Sequence, residues 1–404
     1  MKSLRKLVIV SHVCHYRFKG ELFAYGPYAR EIAIWAELFP EVVIAAPLHQ
    51  ERPPGDATPL AQGNITVQPQ LETGGGSLLL KALQLFALPV HIWRLGNAMR
   101  RADAIQVRCP GNLGLFGCLL APLFGKPRVA KYAGQWSDYQ GEPMSCRWQK
   151  ALLRSRWWRA PVLVYGKWPD QPSHIVPFFT SIMDEAQMDR ARTAELRDWT
   201  KRPLEVLFVG RLSEAKNVDV IIRAIAAMQN EARWVRLRVV GDGPMRATLE
   251  SLANSLKVAD RVMFQGAVPQ AKVLDFYEQA HVLVLASQTE GWPKAIAEAM
   301  AFGLVCIGTD RGFVPQMLGD GRGLLVPPRD IVALADALRS VLSDPGRAEQ
   351  ISERAAAWAQ QFTLERFRDA LRAQLESAWK VTLRPVSRPG ALAPGLAPNP
   401  VLHD

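Results

Sequence analysis

The sequence predicts an α/β protein made of two doubly wound, Rossmann-like parallel-sheet domains that face each other across a cleft. Three observations predict it. Short β-branched runs alternate with longer stretches of helical periodicity in both halves of the chain. The connections between them are short, which favours parallel sheets covered by helices on both faces. At 404 residues the chain is long enough for two cores of ordinary size.

In the first half, the runs 6–10, 42–46, 104–107, 128–132 and 162–165 read as buried strands, and the spacing of Ala29, Ile32, Ala33 and Ala36 predicts a helix over 28–39. The second half repeats the scheme with strands over 205–209, 236–240, 262–264, 282–286 and 305–308. Helices are predicted between them at 218–229, 245–256, 270–280 and 293–302, and beyond them at 331–342, 347–361 and 364–379. The rhythm lapses over 176–203, where charged residues accumulate. The expected division is a first domain over 1–180, a linker over 181–203, a second domain over 204–362, a terminal helix over 363–380, and a disordered tail over 381–404 containing five prolines.

Composition narrows the function classes. The charge sum of 49 cations against 38 acids gives +11, which favours anionic partners. Nucleic acid is not among the expected ones, because no zinc-finger, RNP-type or KH-type signature accompanies the charge. The five cysteines (Cys14, Cys109, Cys118, Cys146, Cys306) are scattered and lack C-x-x-C spacing, so neither a zinc site nor a disulfide framework can be read from them. The apolar stretch 7–13 is broken by Ser11 and His12 and lacks a following cleavage site, so it reads as a first strand and not a secretory signal. The longest uncharged run, 109–125, contains prolines and glycines and is too short to span a bilayer. A cytoplasmic protein is expected.

Ligands of open parallel sheets bind beyond the carboxyl ends of the strands, so the chemistry is sought in the loops there. After strand 205–209 come Gly210 and Arg211, then Lys216 at the start of the next helix. The planar fork of Arg211, the point charge of Lys216 and a helix N-terminus would clamp a diphosphate. The alternative is two surface cations near a helix start. After strand 282–286, Glu290 falls in the loop and Glu298 on the following helix, placed to meet opposite ends of an extended polar ligand. Glu298 sits among apolar neighbours and needs a partner there; a nearby cation would serve as well as a ligand. The string Gly241-Asp242-Gly243-Pro244 has Arg246 where a dinucleotide fingerprint needs Gly or Ala, so it reads as a tight turn. No Asp-x-Asp, P-loop or nucleophile elbow occurs.

Taken together, residues 207–327 closely resemble the C-terminal half of the family 4 glycosyltransferases, which have the two-domain GT-B fold. The resemblance rests on Phe208-Val209-Gly210-Arg211-Leu212 with Lys216-Asn217, on Val240-Gly241-Asp242-Gly243-Pro244, on Phe264-Gln265-Gly266, and on Glu290-Gly291-Trp292-Pro293 through Glu298-Ala299-Met300-Ala301. Glu290 and Glu298 match the E-x7-E signature. The resemblance implies a retaining hexosyltransferase without a cofactor or metal ion, using a nucleotide-sugar donor and a saccharide or lipid-linked acceptor. It makes Glu290, Arg211 and Lys216 the catalytic candidates. Gly210, Arg211, Lys216, Glu298 and Gly266 would hold the nucleotide diphosphate, with Glu298 on the ribose. Glu290, Gly291, Trp292 and Pro293 would meet the donor sugar, and helix 364–379 would cross back onto the first domain. The first half matches more loosely: His12, Gly26 and Gln135 are the acceptor-side candidates, Gln135 standing where many relatives carry a histidine. Lys294 would face donor or acceptor. Another nucleotide-sugar enzyme (hydrolase, epimerase or phosphorylase) and a non-catalytic donor-binding protein are the alternatives.

One segment remains. Arg147 to Arg159 holds five cations, three tryptophans and no acid, which on a helix would suit an anionic membrane surface and peripheral attachment. The competing expectation is a helix whose tryptophans pack into the first domain. The leucine-rich stretch 77–93 reads as a buried helix that would otherwise assist at the membrane.

Overall fold

The computed structural model describes residues 4–72 and 78–383, with side chains described for all of these except 78–88. The proline-rich tail from 384 onward and Ser77 lie outside them.

The first domain is a seven-stranded, all-parallel sheet. Its strands are β1 (Lys6–Val10), β4 (Glu41–Ala46), β7 (Ile65–Pro69), β8 (Ala104–Cys109), β9 (Arg128–Tyr132), β10 (Val162–Tyr165) and β11 (Ile175–Phe178), in the order β11-β10-β9-β8-β1-β4-β7. All five predicted strands are present. A small second sheet was not predicted: β2 (His15–Phe18), β3 (Glu21–Tyr25), β5 (Leu48–His49) and β6 (Ala57–Pro59), ordered β5-β2-β3-β6. These strands are two to five residues long and carry little alternation, so no period marks them. Helices α1 (Gly26–Leu38), α2 (Leu78–Arg100), α3 (Asn112–Leu120) and α4 (Met144–Arg154) cover the main sheet. Alternation along β1 builds two cores at once: Leu7 and Ile9 join the α1 side, while Val8 and Val10 join the side of α2, α3 and α4.

The second domain begins earlier than 204. The segment expected as a linker, 181–203, carries helix α5 (Glu185–Arg192), and its Ile182, Met188, Ala191 and Trp199 are buried in the second core. Its charges had hidden this: Arg190 turns outward to Asp275 and Glu278 while Met188 and Ala191 face inward. Then come β12 (Leu204–Val209), α6 (Val218–Ala227), β13 (Val235–Val240), α7 (Arg246–Ser255), β14 (Val262–Gly266), α8 (Gln270–Gln279), β15 (Val282–Leu285), α9 (Lys294–Ala301), β16 (Val305–Thr309), α10 (Val314–Leu318), β17 (Leu324–Val326), α11 (Ile331–Ser343) and α12 (Pro345–Ala359). The six strands are parallel, in the order β14-β13-β12-β15-β16-β17. The last helix, α13 (Leu364–Trp379), returns to the first domain, where Phe367, Leu371 and Leu375 are buried and the Trp379 indole donates to the Arg128 carbonyl at 3.2 Å.

Each sheet reverses its winding once, at β1/β8 and at β12/β15. Crevices at the carboxyl ends of strands form at such points. Beneath the first lies a buried ion cluster: Glu31 of α1 binds Arg108 and Lys131, each at 3.0 Å. Burial alone would raise the Glu31 carboxyl, but the two cations outweigh it and hold it down at about 2. Replacing Glu31 with Gln leaves two buried cations uncompensated and is expected to cost about 3–5 kcal/mol, seen as a lower first transition in thermal unfolding. The stabilising effect of the wild-type pair is present above pH 4.5 and is lost as the pH falls from there towards 2.

Candidate functional site

The second domain's site is assembled by backbone contacts between loops. After β12 the chain runs so close to the turn after β13 that a Cβ on Gly241 would lie 1.9 Å from the Gly210 carbonyl oxygen. Gly241 also has φ +138°, which side chains rarely adopt. The glycines of the Gly241–Pro244 string therefore serve close approach, as the predicted tight turn requires. Gly241 N–H donates to the carbonyl of Gly266 at 2.9 Å, which joins the end of β14 to the same knot.

The two predicted charge carriers meet. Lys216 Nζ lies 2.6 Å from Glu290 Oε1, with the Glu290 side chain nearly buried and Lys216 partly open. Asn217, in the left-handed region at φ 47°, donates from Nδ2 to the Ala286 carbonyl and accepts from Gln288. That bridge fixes the loop after β12 against the loop after β15. Arg211 extends into solvent from the same loop. Glu298, on α9, is buried and accepts a 2.9 Å hydrogen bond from Tyr277 of α8.

The loop bearing Glu290 is pinned from three sides. Trp292 does not turn its ring towards a ligand. It is buried against Tyr165, Phe313, Trp358 and Phe362, so that only its backbone is available to the cleft. A Cβ on Gly291 would lie 3.0 Å from Gly134 of the first domain. Gly312, at φ +57°, approaches so closely that a Cβ there would meet the Glu290 carbonyl oxygen at 1.7 Å. Pro293 precedes α9 as its cap instead of opening it.

From the first domain, Gln135 reaches this place: its Oε1 lies 3.2 Å from a Cβ built on Gly312 and is buried without a protein partner. Ser287 Oγ, at the end of β15, is likewise buried and unpartnered. His12 stands at the carboxyl end of β1, against Gly111 after β8. Desolvation in the cleft, aided by Arg108, lowers its pKa below the usual range. His15 is structural: it is fully buried in β2 with Nδ1 at 2.9 Å from the Val13 carbonyl, and burial pulls it down to about 4. Gly26 opens α1, where a Cβ would press on Asp56 and Thr58 of the small sheet. Its smallness serves that packing.

Several site residues were not singled out from sequence. Arg30 of α1 has Glu298 as its strongest favourable charge neighbour, so α1 presents a cation to the carboxylate across the cleft. Lys294 of α9, by contrast, was expected from the sequence to face donor or acceptor, and it reaches back to α1, with Nζ 3.5 Å from the Pro27 carbonyl. Tyr277 had one legible signal, since a tyrosine at a core position of an amphipathic helix needs a hydroxyl partner. Gly312 and Phe313 had none.

Burial pushes Glu298 up, against the pull of Arg30, Lys294 and Tyr277. Burial, with Arg30 next, pushes the Lys294 ammonium down to about 7. The folded protein thus binds fewer protons than the unfolded chain between about pH 7 and the ordinary lysine range, and the cost of enclosing the cation is full below pH 7 and fades above it. Lys294→Met is expected to raise the melting temperature at pH 6 and to change it progressively less towards pH 10, as followed by differential scanning calorimetry.

Comparison with known proteins agrees with this architecture. Residues 191–358 match the family described as glycosyl transferases group 1. That match covers most of the second domain, which is similar to the glycosyl transferases of this group, and the fold of the whole is GT-B. Among curated proteins, the α-D-kanosaminyltransferase of Streptomyces kanamyceticus is 31% identical over 192 residues, 46% of this chain and 50% of that one. The putative colanic acid biosynthesis glycosyltransferase WcaL of Escherichia coli is 34% identical over 143 residues, 34% of this chain and 35% of that one. The chain thus spans half or less of the length of these relatives. Among solved structures, Anabaena Alr3699/HepE in complex with UDP superposes with a TM-score of 0.66 at 16% identity, over 93% of this chain and all of that one.

Proposed function

We propose that this protein is a retaining, metal-independent glycosyltransferase. It moves a hexose from a nucleotide-sugar donor to a saccharide or lipid-linked acceptor in the synthesis of a cell-surface polysaccharide or glycolipid. The observation that carries the reading is the pairing of Lys216 with Glu290 beside the winding reversal of a domain matched by the glycosyl transferases group 1 family, with the buried Glu298 on the helix that follows. Arg211 and Lys216 offset the negative charge that grows on the departing diphosphate, the quantity that most needs stabilising as the sugar becomes oxocarbenium-like. Glu298, held by Tyr277, takes the ribose hydroxyls. Glu290 and the peptide groups of 291–293 meet the sugar. Gln135 and His12 approach from the acceptor side. Two buried oxygens without protein partners, Ser287 Oγ and Gln135 Oε1, border this space and would find them in a hydroxyl-rich ligand.

The test is calorimetry with UDP, GDP, ADP and CMP and their sugar conjugates in the presence of EDTA. One nucleotide is expected to bind, and Glu298→Ala to weaken it by about 1–3 kcal/mol. Absence of binding by all of them, or unchanged affinity in a folded Glu298→Ala variant, would overturn the assignment.

We further propose a peripheral position on the cytoplasmic membrane face. Among the described residues, no helix is long and apolar enough to cross a membrane. Helix α3 packs against both α2 and α4, and this side of the first domain exposes Trp93, Leu123, Trp148 and Trp157. Arg147, Arg156 and Arg159 are exposed beside them. The predicted amphipathic segment 147–159 needs correction. Its helix ends at Arg154, Lys150 is buried against Asp138 and Glu142, Trp158 is fully buried, and Arg154 stacks on Trp136. Lys150 and Arg154 answer needs inside the domain, which leaves the remaining three cations and two tryptophans for a surface. Replacing Trp148, Trp157, Arg156 and Arg159 together with Ser or Gln is expected to abolish cosedimentation with phosphatidylglycerol vesicles while sparing nucleotide binding. Unchanged cosedimentation would remove the membrane from the reading.

A further inference from the structure

We propose that Cys14, His49 and Glu72 bind a divalent transition-metal ion, with zinc the best chemical match. The three residues are far apart in sequence and converge at the carboxyl-end rim of the first domain, from the loop after β1, from β5, and from just beyond β7. One ligand atom from each lies within 4.8 Å of the others. Cys14 Sγ is 3.4 Å from Glu72 Oε1, and His49 Nε2 is 2.7 Å from the same oxygen. Ligand atoms around a tetrahedral zinc stand about 3.4–3.6 Å apart, given bonds of about 2.0–2.3 Å. The Cys14–Glu72 separation already fits, and the His49–Glu72 separation needs to open by less than about 1 Å, which the exposed Glu72 side chain allows.

The scaffold holds the donors. His49 pairs with Tyr16 between β5 and β2, and its ring stacks on the Tyr16 ring at 5.5 Å and 26°. Its other nitrogen, Nδ1, faces Glu51 at 3.8 Å, the kind of carboxylate that orients a metal-ligating imidazole. Backbone bonding of His15 N to the Pro47 carbonyl at 2.9 Å ties the end of the cysteine-bearing loop to the residue that leads into β5 and His49. A thiolate, an imidazole and a carboxylate form the mixed soft and hard set that zinc accepts, and three protein ligands leave one position for water or a substrate oxygen. Binding releases the thiol proton to solvent, after which the two anionic ligands balance the dication. The site shares no residue with the donor cleft, so its outcome is independent of the transferase reading.

The experiment is titration of the full-length, reduced protein with Co2+, read by absorbance. The expected result is a thiolate-to-cobalt charge-transfer band that saturates at one equivalent, disappears on addition of Zn2+, and is accompanied by proton release in weakly buffered solution. Cys14→Ser should abolish the band, whereas Cys146→Ser, at the other partly exposed thiol, should leave it intact. His49→Ala and Glu72→Gln should each weaken binding by more than about tenfold. Because all four side chains are at least partly exposed, the variants should fold, and circular dichroism verifies this. No charge-transfer band, or a band that survives Cys14→Ser, overturns the proposal.

Discussion

The Trp292 indole fastens the carboxylate loop to both halves of the molecule at once. It lies between Glu290 and the helix that carries Glu298, and it packs on Tyr165 of the first sheet, Phe313 of the loop after β16, Trp358 of α12, and Phe362 between α12 and α13. A flat, fully enclosed ring of this size fixes position through many small contacts. With the ring immobilised, the adjoining peptide groups and the Glu290 side chain have little freedom, and Lys216 meets a carboxylate that is already placed. The same ring links the site to the chain that crosses back, since Phe362 immediately precedes the turn into α13.

Around that anchor, backbone proximity does what side chains cannot. Gly241 against Gly210, Gly312 against Glu290 and Gly291 against Gly134 are contacts at which any Cβ would intrude. They bring the loops after β12, β13, β15 and β16, and the loop after β9 from the other domain, within reach of one small ligand. The cleft is electrically crowded: Arg30 and Lys294 approach from α1 and α9 while Glu298 is held by Tyr277. Such an arrangement of enclosed, mutually perturbing charges is costly to hold and is the kind that clusters at functional sites.

The first domain separates its tasks by position. Its ion cluster of Glu31, Arg108 and Lys131 is internal and structural. The crevice at β1/β8 presents His12, and farther along the same carboxyl-end rim, beyond β4 and β7, Cys14, His49 and Glu72 gather. Helices α2 and α4 and the segment after α4 offer aromatic and cationic side chains to the exterior. The small mixed sheet supports two of these features, since β2 and β5 position His49 while β3 and β6 set the start of α1.

Most strands and helices of both main sheets were legible in the sequence because each buries a face through many residues, and periodicity records repeated burial; the edge strands β7, β11 and β17 and the short helices α3, α5 and α10 were not read from it. The strand over 205–209 and the helix over 364–379 are read from local residue patterning, and the loops that carry Arg211, Lys216 and Glu290 from their place after predicted strands. The pairing of Lys216 with Glu290 joins residues 74 apart, and no local pattern encodes it. Likewise, the inward turn of Trp292, the approach of Arg30 to Glu298 and the meeting of Cys14, His49 and Glu72 depend on how sheets stack and loops cross. Local sequence determines which groups a segment offers and which face it buries. Which of those groups become neighbours was decided only by the tertiary fold, because contacts between distant segments are selected by the packing of the whole chain.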